Sequence, residues 1–274
     1  MTGATLINGQ WDERIDAADR GLQYGDGLFE TIAVVDGRAP YWPAHYARLC
    51  RGGERLGLAV PPEALLLEEL GRLVTGTTRE VVKLILTRGV GGRGYRPPEP
   101  ATPTRILSRH PWPDYPPALW QAGIAATRCR VPLARNPHLA GIKHLNRLEQ
   151  VLARAEWGDA YQEGVMCDTR GNVVSGTMSN LFLVTETGLL TPELTACGIE
   201  GTTRARVIAV AGELGIPVTT GRVSLADLEA ASGLFFCNAV IGIWPVQHLD
   251  GAGYRIDEMT RKLMRSISHT RESA

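Results

Sequence analysis

Lysine is almost missing from this chain: of its 29 basic residues only Lys83, Lys143 and Lys262 are lysines, and the rest are arginines. An excess of either sign is missing too, since 29 acids balance 29 bases and leave a net charge of +0. With both signs interspersed along the whole length, neither a basic stripe for nucleic acid nor a polybasic membrane anchor is present. Cysteine is scarce and scattered: Cys50, Cys129, Cys167, Cys197 and Cys237 are odd in number and never approach the close pairs of a zinc site or redox motif, which fits a reducing cytoplasm. The histidines at 45, 110, 138, 144, 248 and 269 lack ligand spacing with acids or cysteines, so no metal is expected. The longest apolar run, GLFFCNAVIGIWPV, carries an asparagine and a proline and is too short to span a bilayer. The opening MTGATLINGQWDER has no basic segment followed by an apolar core. A soluble cytoplasmic protein is the expectation, with no repeat of fixed period and no low-complexity tract.

At 274 residues and 44% hydrophobic, the chain can build two lobes with cores of their own or one large α/β domain. Asn8-Gly9 in LINGQW is a two-residue hairpin signal, and GLFETIAVVDGRAPYW alternates and breaks at Asp36-Gly37 as a second hairpin. PAHYARLCRGGERLGL and PEALLLEELGRLV have helical spacing, while REVVKLILTRG and TRILSRHPW read as strands. The proline-rich PWPDYPP, 111 to 117, reads as a connection. The expected organisation is a smaller α/β domain at 1–112, a linker at 113–117 and a larger α/β domain at 118–274 that carries Lys143. In the second part GIAATRCRVP is a strand, NRLEQVLARAEW a helix, and EGVMCDTRGNVVSGTMSNLFLVTETGLLTP a meander turning at Arg170-Gly171 and Thr187-Gly188. A helix at GTTRARVIAVAGELG, strands at PVTTGRVS and GLFFCNAVIG, and a closing helix complete it.

Scarcity makes each lysine worth weighing. Lys262 follows Glu258 by four residues, the favourable order for a surface ion pair on a helix. Lys83, in VVKLIL, fits a strand residue whose long stem snorkels to the rim. Lys143 sits just before, or in the first turn of, the helix NRLEQVLARAEW. If that helix includes it, Arg147 is its neighbour one turn on, and a nearby cation disfavours the charged ammonium and leaves a nucleophilic amine. A lysine at a helix start is also often simply solvated. An amine that bonds to an aldehyde cofactor such as pyridoxal phosphate needs a phosphate cradle elsewhere, and GIEGTTR, 198 to 204, supplies a glycine-bearing turn opening into a helix. The same residues also describe ordinary helix capping.

Five blocks taken together, GLQYGDGLFETI (21–32), RGVGGRGYRPP (88–98), RNPHLAGIKHLNRLEQVLAR (135–154), GTMSNLF (176–182) and CNAVIGIWPV (237–246), resemble the fold-type IV, branched-chain aminotransferase-like group of pyridoxal phosphate enzymes. The resemblance covers nearly the whole chain. Within that group, GGRGY beside the lysine block is characteristic of a lyase. The resemblance implies an α/β (α+β), two-lobed fold like that of D-amino acid aminotransferases, a homodimer, a small-molecule substrate and pyridoxal 5'-phosphate held between the lobes. Position by position it implies Lys143 as the Schiff-base lysine and proton carrier, Arg48 in HYARL at the phosphate, Thr202 and Thr203 as helix-terminal phosphate contacts, and Asn238 on a strand end near the cofactor. Arg93 and Arg147 are candidates to clamp substrate carboxylates.

One position departs from the group. Where most members carry a glutamate against the pyridine nitrogen, this chain has Ser175, and a hydroxyl can hydrogen-bond there without enforcing a charge. The weaker electron sink suits a lyase whose product becomes aromatic better than it suits a transaminase. The rivals are a branched-chain or D-amino acid aminotransferase and, in another class, a binding or scaffold protein that has kept the fold and lost activity. GVGGRG is no dinucleotide loop, because a proline pair and no helix follows it.

Overall fold

The computed structural model describes residues 4–74, 76 and 79–267. The chain divides into two units, Met1–Asp114 with Ile142–Asn146, and Tyr115–Gly141 with Arg147–Ala274. Each is built on a sheet.

In the first unit, β1 (Thr5–Ile7) and β2 (Gln10–Trp11) form a hairpin closed by Asn8 and Gly9, both at positive φ, the geometry a two-residue turn between twisted strands demands. The short helix α1 (Arg20–Tyr24) follows, capped by the Asp19 side chain on the Gly21 N–H. Then come β3 (Gly27–Val35), α2 (Trp42–Leu56), α3 (Glu63–Leu73), β4 (Arg79–Thr87) and β5 (Thr104–Pro111). The strand order is β2-β1-β5-β4-β3, antiparallel throughout. Asp36-Gly37 makes a turn that closes only the Val35–Arg38 bridge, so the expected second hairpin is absent and the ladder partner of β3 is β4.

In the second unit α4 (Ala118–Gln121) leads to β6 (Ile124–Arg128) and, after a long excursion, to α5 (Leu148–Arg154). The strands β7 (Glu163–Cys167), β8 (Val173–Gly176), β9 (Asn180–Thr185) and β10 (Gly188–Pro192) precede α6 (Thr202–Glu213), and the expected single meander is split, because β7 pairs with β8 and β9 with β10 in separate parts of the sheet. After these come β11 (Val218–Gly221), α7 (Leu225–Ala230), β12 (Gly233–Asn238), β13 (Gly242–Leu249), β14 (Ala252–Gly253) and α8 (Glu258–Ile267). The sheet runs β11-β10-β9-β12-β13-β6-β7-β8, with β14 on β13. Its central strands bury both faces and read as continuous apolar runs. Leu181, Leu183 and Phe236 pack on one side, and Phe182, Val184 and Phe235 on the other. No described helix is long and apolar enough to cross a membrane.

Two sequence expectations change here. Ile142–Asn146, assigned with Lys143 to the larger domain, clusters with the first unit. The physical reason is the free edge of β3: Phe29 N–H donates to the Lys143 carbonyl at 2.9 Å, Leu145 N–H donates to the Gly27 carbonyl at 3.0 Å, and Leu28 bridges His144. Pairing an otherwise open strand edge satisfies backbone groups that would need water. The helix that follows is also shorter than its pattern. It starts at Leu148 with Arg147 as N-cap, so Lys143 lies outside it and helical spacing does not relate it to Arg147.

Candidate functional site

Lys143 is held by its own backbone. With its carbonyl fixed on β3, its side chain stands over Phe29, Nζ 4.3 Å from the ring centroid. Lys83 Nζ lies 5.6 Å from the same ring. Two of the three lysines therefore lie near one aromatic ring. Lys83 was expected only to snorkel. Its register opposite Thr31, two residues beyond Phe29 on β3, could not be read without the β3–β4 pairing. Lys262 stays outside this cluster, and the ion-pair partner of Glu258 is Arg265, at 2.6 Å, instead of Lys262.

On the inward face of β3, Glu30 meets α2. Arg48 donates from Nε to Glu30 Oε1 at 2.8 Å and from Nη2 to Oε2, and His45 Nδ1 lies 2.7 Å from Oε2. All three side chains are buried. Burial pushes the Glu30 carboxyl up, but the Arg48 charge and the bonds from Arg48 and His45 outweigh it and bring its pKa down to about 2. Arg48 is thus a buried arginine aimed by a carboxylate, which sequence spacing alone did not reveal. Arg93 is exposed on the 91–96 loop. Arg147, in the second unit, has its pKa lowered to about 10 by burial.

The second unit presents the start of α6. Gly201 is its N-cap and no side chain caps it, so the first-turn amides of Thr202 and Thr203 point out of the helix. A Cβ at Gly201 would collide with Asn180 Oδ1, while Asn180 Nδ2 donates to the Ile199 carbonyl at 2.9 Å. Glycine there lets the backbone turn close in on Asn180. Arg204 anchors the turn from inside, donating to Thr191 Oγ1 and the Pro192 carbonyl. Gly141 also pairs with this turn, through Gly141 N–H to the Gly198 carbonyl and Glu200 N–H to the Gly141 carbonyl.

Ser175 is buried on β8 and donates to the Gly176 carbonyl at 2.9 Å. Asn238 spends its side chain on backbone: Oδ1 accepts from Val240 and Ile241 N–H at 2.9 Å each, and Nδ2 donates to the Met178 carbonyl. It shapes the turn after β12. Glu163, which the sequence did not single out, accepts from Thr177 N–H and Oγ1, from Ser179 Oγ and from Gly164 N–H, and so orders the turn after Ser175. Its signal was an acid opening the apolar strand EGVMC. Among the described residues no group of three or more His, Cys, Asp or Glu could hold a metal ion.

The first unit thus presents an amine set against an aromatic ring and a buried arginine aimed by a carboxylate, and the second presents a helix start with no side-chain cap, a geometry that suits an anion. Comparison with known proteins agrees. The family model described as amino-transferase class IV matches residues 27–249. The aminodeoxychorismate lyase of Vibrio harveyi is 32% identical over 262 residues, covering 95% of this chain and 97% of that one. A D-alanine aminotransferase of Listeria monocytogenes is 31% identical over 263 residues, 90% of this chain and 87% of its own. The crystal structure of 4-amino-4-deoxychorismate lyase from Pseudomonas aeruginosa superposes with a TM-score of 0.91 at 46% identity, covering 96% of this chain and 97% of that one.

Proposed function

The chain belongs to the class IV amino-transferase family, and from that premise we propose that it is a pyridoxal 5'-phosphate enzyme converting 4-amino-4-deoxychorismate to p-aminobenzoate and pyruvate, a step of folate biosynthesis. The observation that carries the reading is the 46% identity to a solved lyase across nearly the full length of both chains. The fold is that of the fold-type IV enzymes.

The chemistry that pyridoxal phosphate supplies when bound is an aldehyde for amines and an electron sink for the adjoining carbon. Lys143 would hold the aldehyde at rest, and its Nζ, once free, takes the proton from the carbon bearing the substrate nitrogen. Arg48, Thr202 and Thr203 would hold the phosphate, with Asn238 shaping the turn beside it. Ser175 would be the residue at the ring nitrogen, and a hydroxyl there, which cannot enforce a charge, favours a reaction that ends in aromatisation over one that must store a carbanion. Arg93 and Arg147 orient the substrate's carboxylates.

The chain acts as a homodimer in the cytoplasm. Leu148, Val151 and Leu152, one face of α5, are 74%, 60% and 57% exposed, an apolar stripe that a second copy would cover. Val151→Asp with Leu152→Asp should shift sedimentation from dimer to monomer; a monomeric parent protein would refute the assembly.

Borohydride reduction of the purified protein followed by peptide mapping tests the chemistry. A pyridoxyl group on Lys143, with p-aminobenzoate and pyruvate formed in equal amounts, is the expected result. Modification of Lys83 or Lys262, or amino transfer to 2-oxoglutarate without pyruvate release, would overturn it.

A further inference from the structure

We infer that Arg20 is a positioning residue for the reaction: its buried guanidinium clasps the backbone of the 91–96 loop and so fixes where Arg93 is presented to a substrate carboxylate. The inference rests on the reading of Arg93 given above. Arg20 opens a five-residue helix, yet it is only 3% exposed. Its Nη1 donates to the Gly94 carbonyl at 2.9 Å and to the Arg96 carbonyl at 3.4 Å, and its Nη2 donates to the Tyr95 carbonyl at 2.9 Å. Its Nε is neutralised by Asp26 Oδ2 at 2.9 Å. Tyr24, one turn along α1, completes the clasp. Its hydroxyl accepts from the Gly94 N–H at 3.2 Å, and its ring lies under the Arg20 guanidinium and against the edge of Tyr95.

The loop is built to need such a clasp. Gly91, Gly92 and Gly94 give it much backbone freedom, and ordering it during binding would weaken that binding. Gly94 stands at φ +105°, and a Cβ at Gly91 would lie 2.8 Å from Arg20 Cδ, so the glycines are also what let the arginine stem pass beneath the loop. A guanidinium suits the task because its donors are set in a rigid fork that meets several carbonyls and a carboxylate at once, which an ammonium cannot do. Arg88 serves as the internal control. It is buried like Arg20 and donates to the same Asp26 Oδ2, but its other bonds go to the Leu56 and Gly57 carbonyls, away from the loop.

The test pairs two readouts on the full-length holoenzyme. Tryptic cleavage of the Arg93–Gly94 bond, followed by mass spectrometry, reports loop order, and the KM for 4-amino-4-deoxychorismate reports its use. Arg20→Lys should raise both by about tenfold while kcat and the cofactor absorbance change by less than about threefold. Arg88→Lys should lower thermal stability and leave both readouts near the parent values. Unchanged cleavage or unchanged KM in Arg20→Lys overturns the inference, and so does an equal rise in Arg88→Lys. If Arg20→Lys does not fold, Tyr24→Phe, which removes only the acceptor for Gly94, must move both readouts the same way by a smaller factor. Arg93→Ala reads the underlying premise separately. An unchanged KM there refutes the substrate role of Arg93, while the cleavage rates still decide whether Arg20 holds the loop.

Discussion

In the first unit the edge strand β3 buries Glu30 against Arg48 and His45 of α2, and one carboxylate, Asp26, is shared by Arg20 and Arg88. In the second unit the central strands bury Phe182, Phe235 and Phe236, with the first two stacked at 5.1 Å between ring centroids. The difference follows from what each unit must hold in place. Apolar packing is strong but non-directional, and it makes a rigid floor for a helix start whose amides are already aimed by the helix itself. A guanidinium has no such scaffold on its side chain. It is aimed only by partners, and a buried carboxylate that accepts two of its N–H groups does that at the cost of desolvating both charges.

Removing the buried carboxylate between β3 and α2 is the most severe way to break this contrast. Glu30→Gln leaves the Arg48 charge buried without its counter-ion and should cost about 4 kcal/mol of stability, read by urea unfolding at pH 7. The pH dependence has a definite sign. The Glu30 pKa in the folded protein is about 2, below the ordinary carboxyl value of 4.5, so its contribution is complete above about pH 4.5 and is lost as pH falls toward about 2. Other carboxyls held low, Asp26 and Asp168 among them, act in the same direction. The difference between parent and variant across that window therefore isolates Glu30. A loss below about 1 kcal/mol at pH 7 would mean that the buried pair does not hold α2 to β3.

The same contrast explains what could be read from residues alone. The start of α6 was legible because a glycine turn entering a helical pattern is a local signal, contained within seven residues. The buried place of Glu30 was also written locally: GLFETIAVV puts Leu28, Glu30, Ile32 and Val34 on one face, an acid inside an apolar row. Lys143 stood out in the sequence by its rarity, but its setting did not. Its position depends on pairing with a strand more than a hundred residues earlier, and a helical period carried back through Arg147 hid the strand-like backbone. Arg20 was invisible for the same reason, since its partners at Gly94 and Tyr95 lie 74 and 75 residues away. β13 was lost inside one apolar run with β12, because two buried strands joined by a tight turn show no break in hydrophobicity.

A smaller effect sharpens the comparison from the other side. Gly201→Ala adds one methyl where Asn180 Oδ1 stands, so the turn before α6 must shift and its amides with it. Because the apolar core beneath is untouched, stability should fall by less than about 1 kcal/mol. Cofactor affinity, followed by absorbance during dialysis, should fall about tenfold. Full retention of the cofactor would argue that the helix start is ordinary capping geometry and not a phosphate cradle.

The smallest change tests whether the second unit owes anything beyond its core to charge. Ser224 caps α7: its Oγ accepts from Asp227 N–H at 3.1 Å, and Asp227 Oδ2 accepts from Ser224 N–H at 2.7 Å. The Ser224 bonds hold the Asp227 carboxyl below its usual pKa. Asp227 is exposed, so its charge is screened and the reciprocal bonds carry the effect. Ser224→Ala should therefore cost about 1 kcal/mol, the usual size of a lost N-cap. It should leave KM and cofactor absorbance unchanged, because its partners are all in α7. A loss that disappears in high salt would show that charge, and not cap geometry, fastens this helix, and the contrast between the two units would then no longer hold at the second unit's surface.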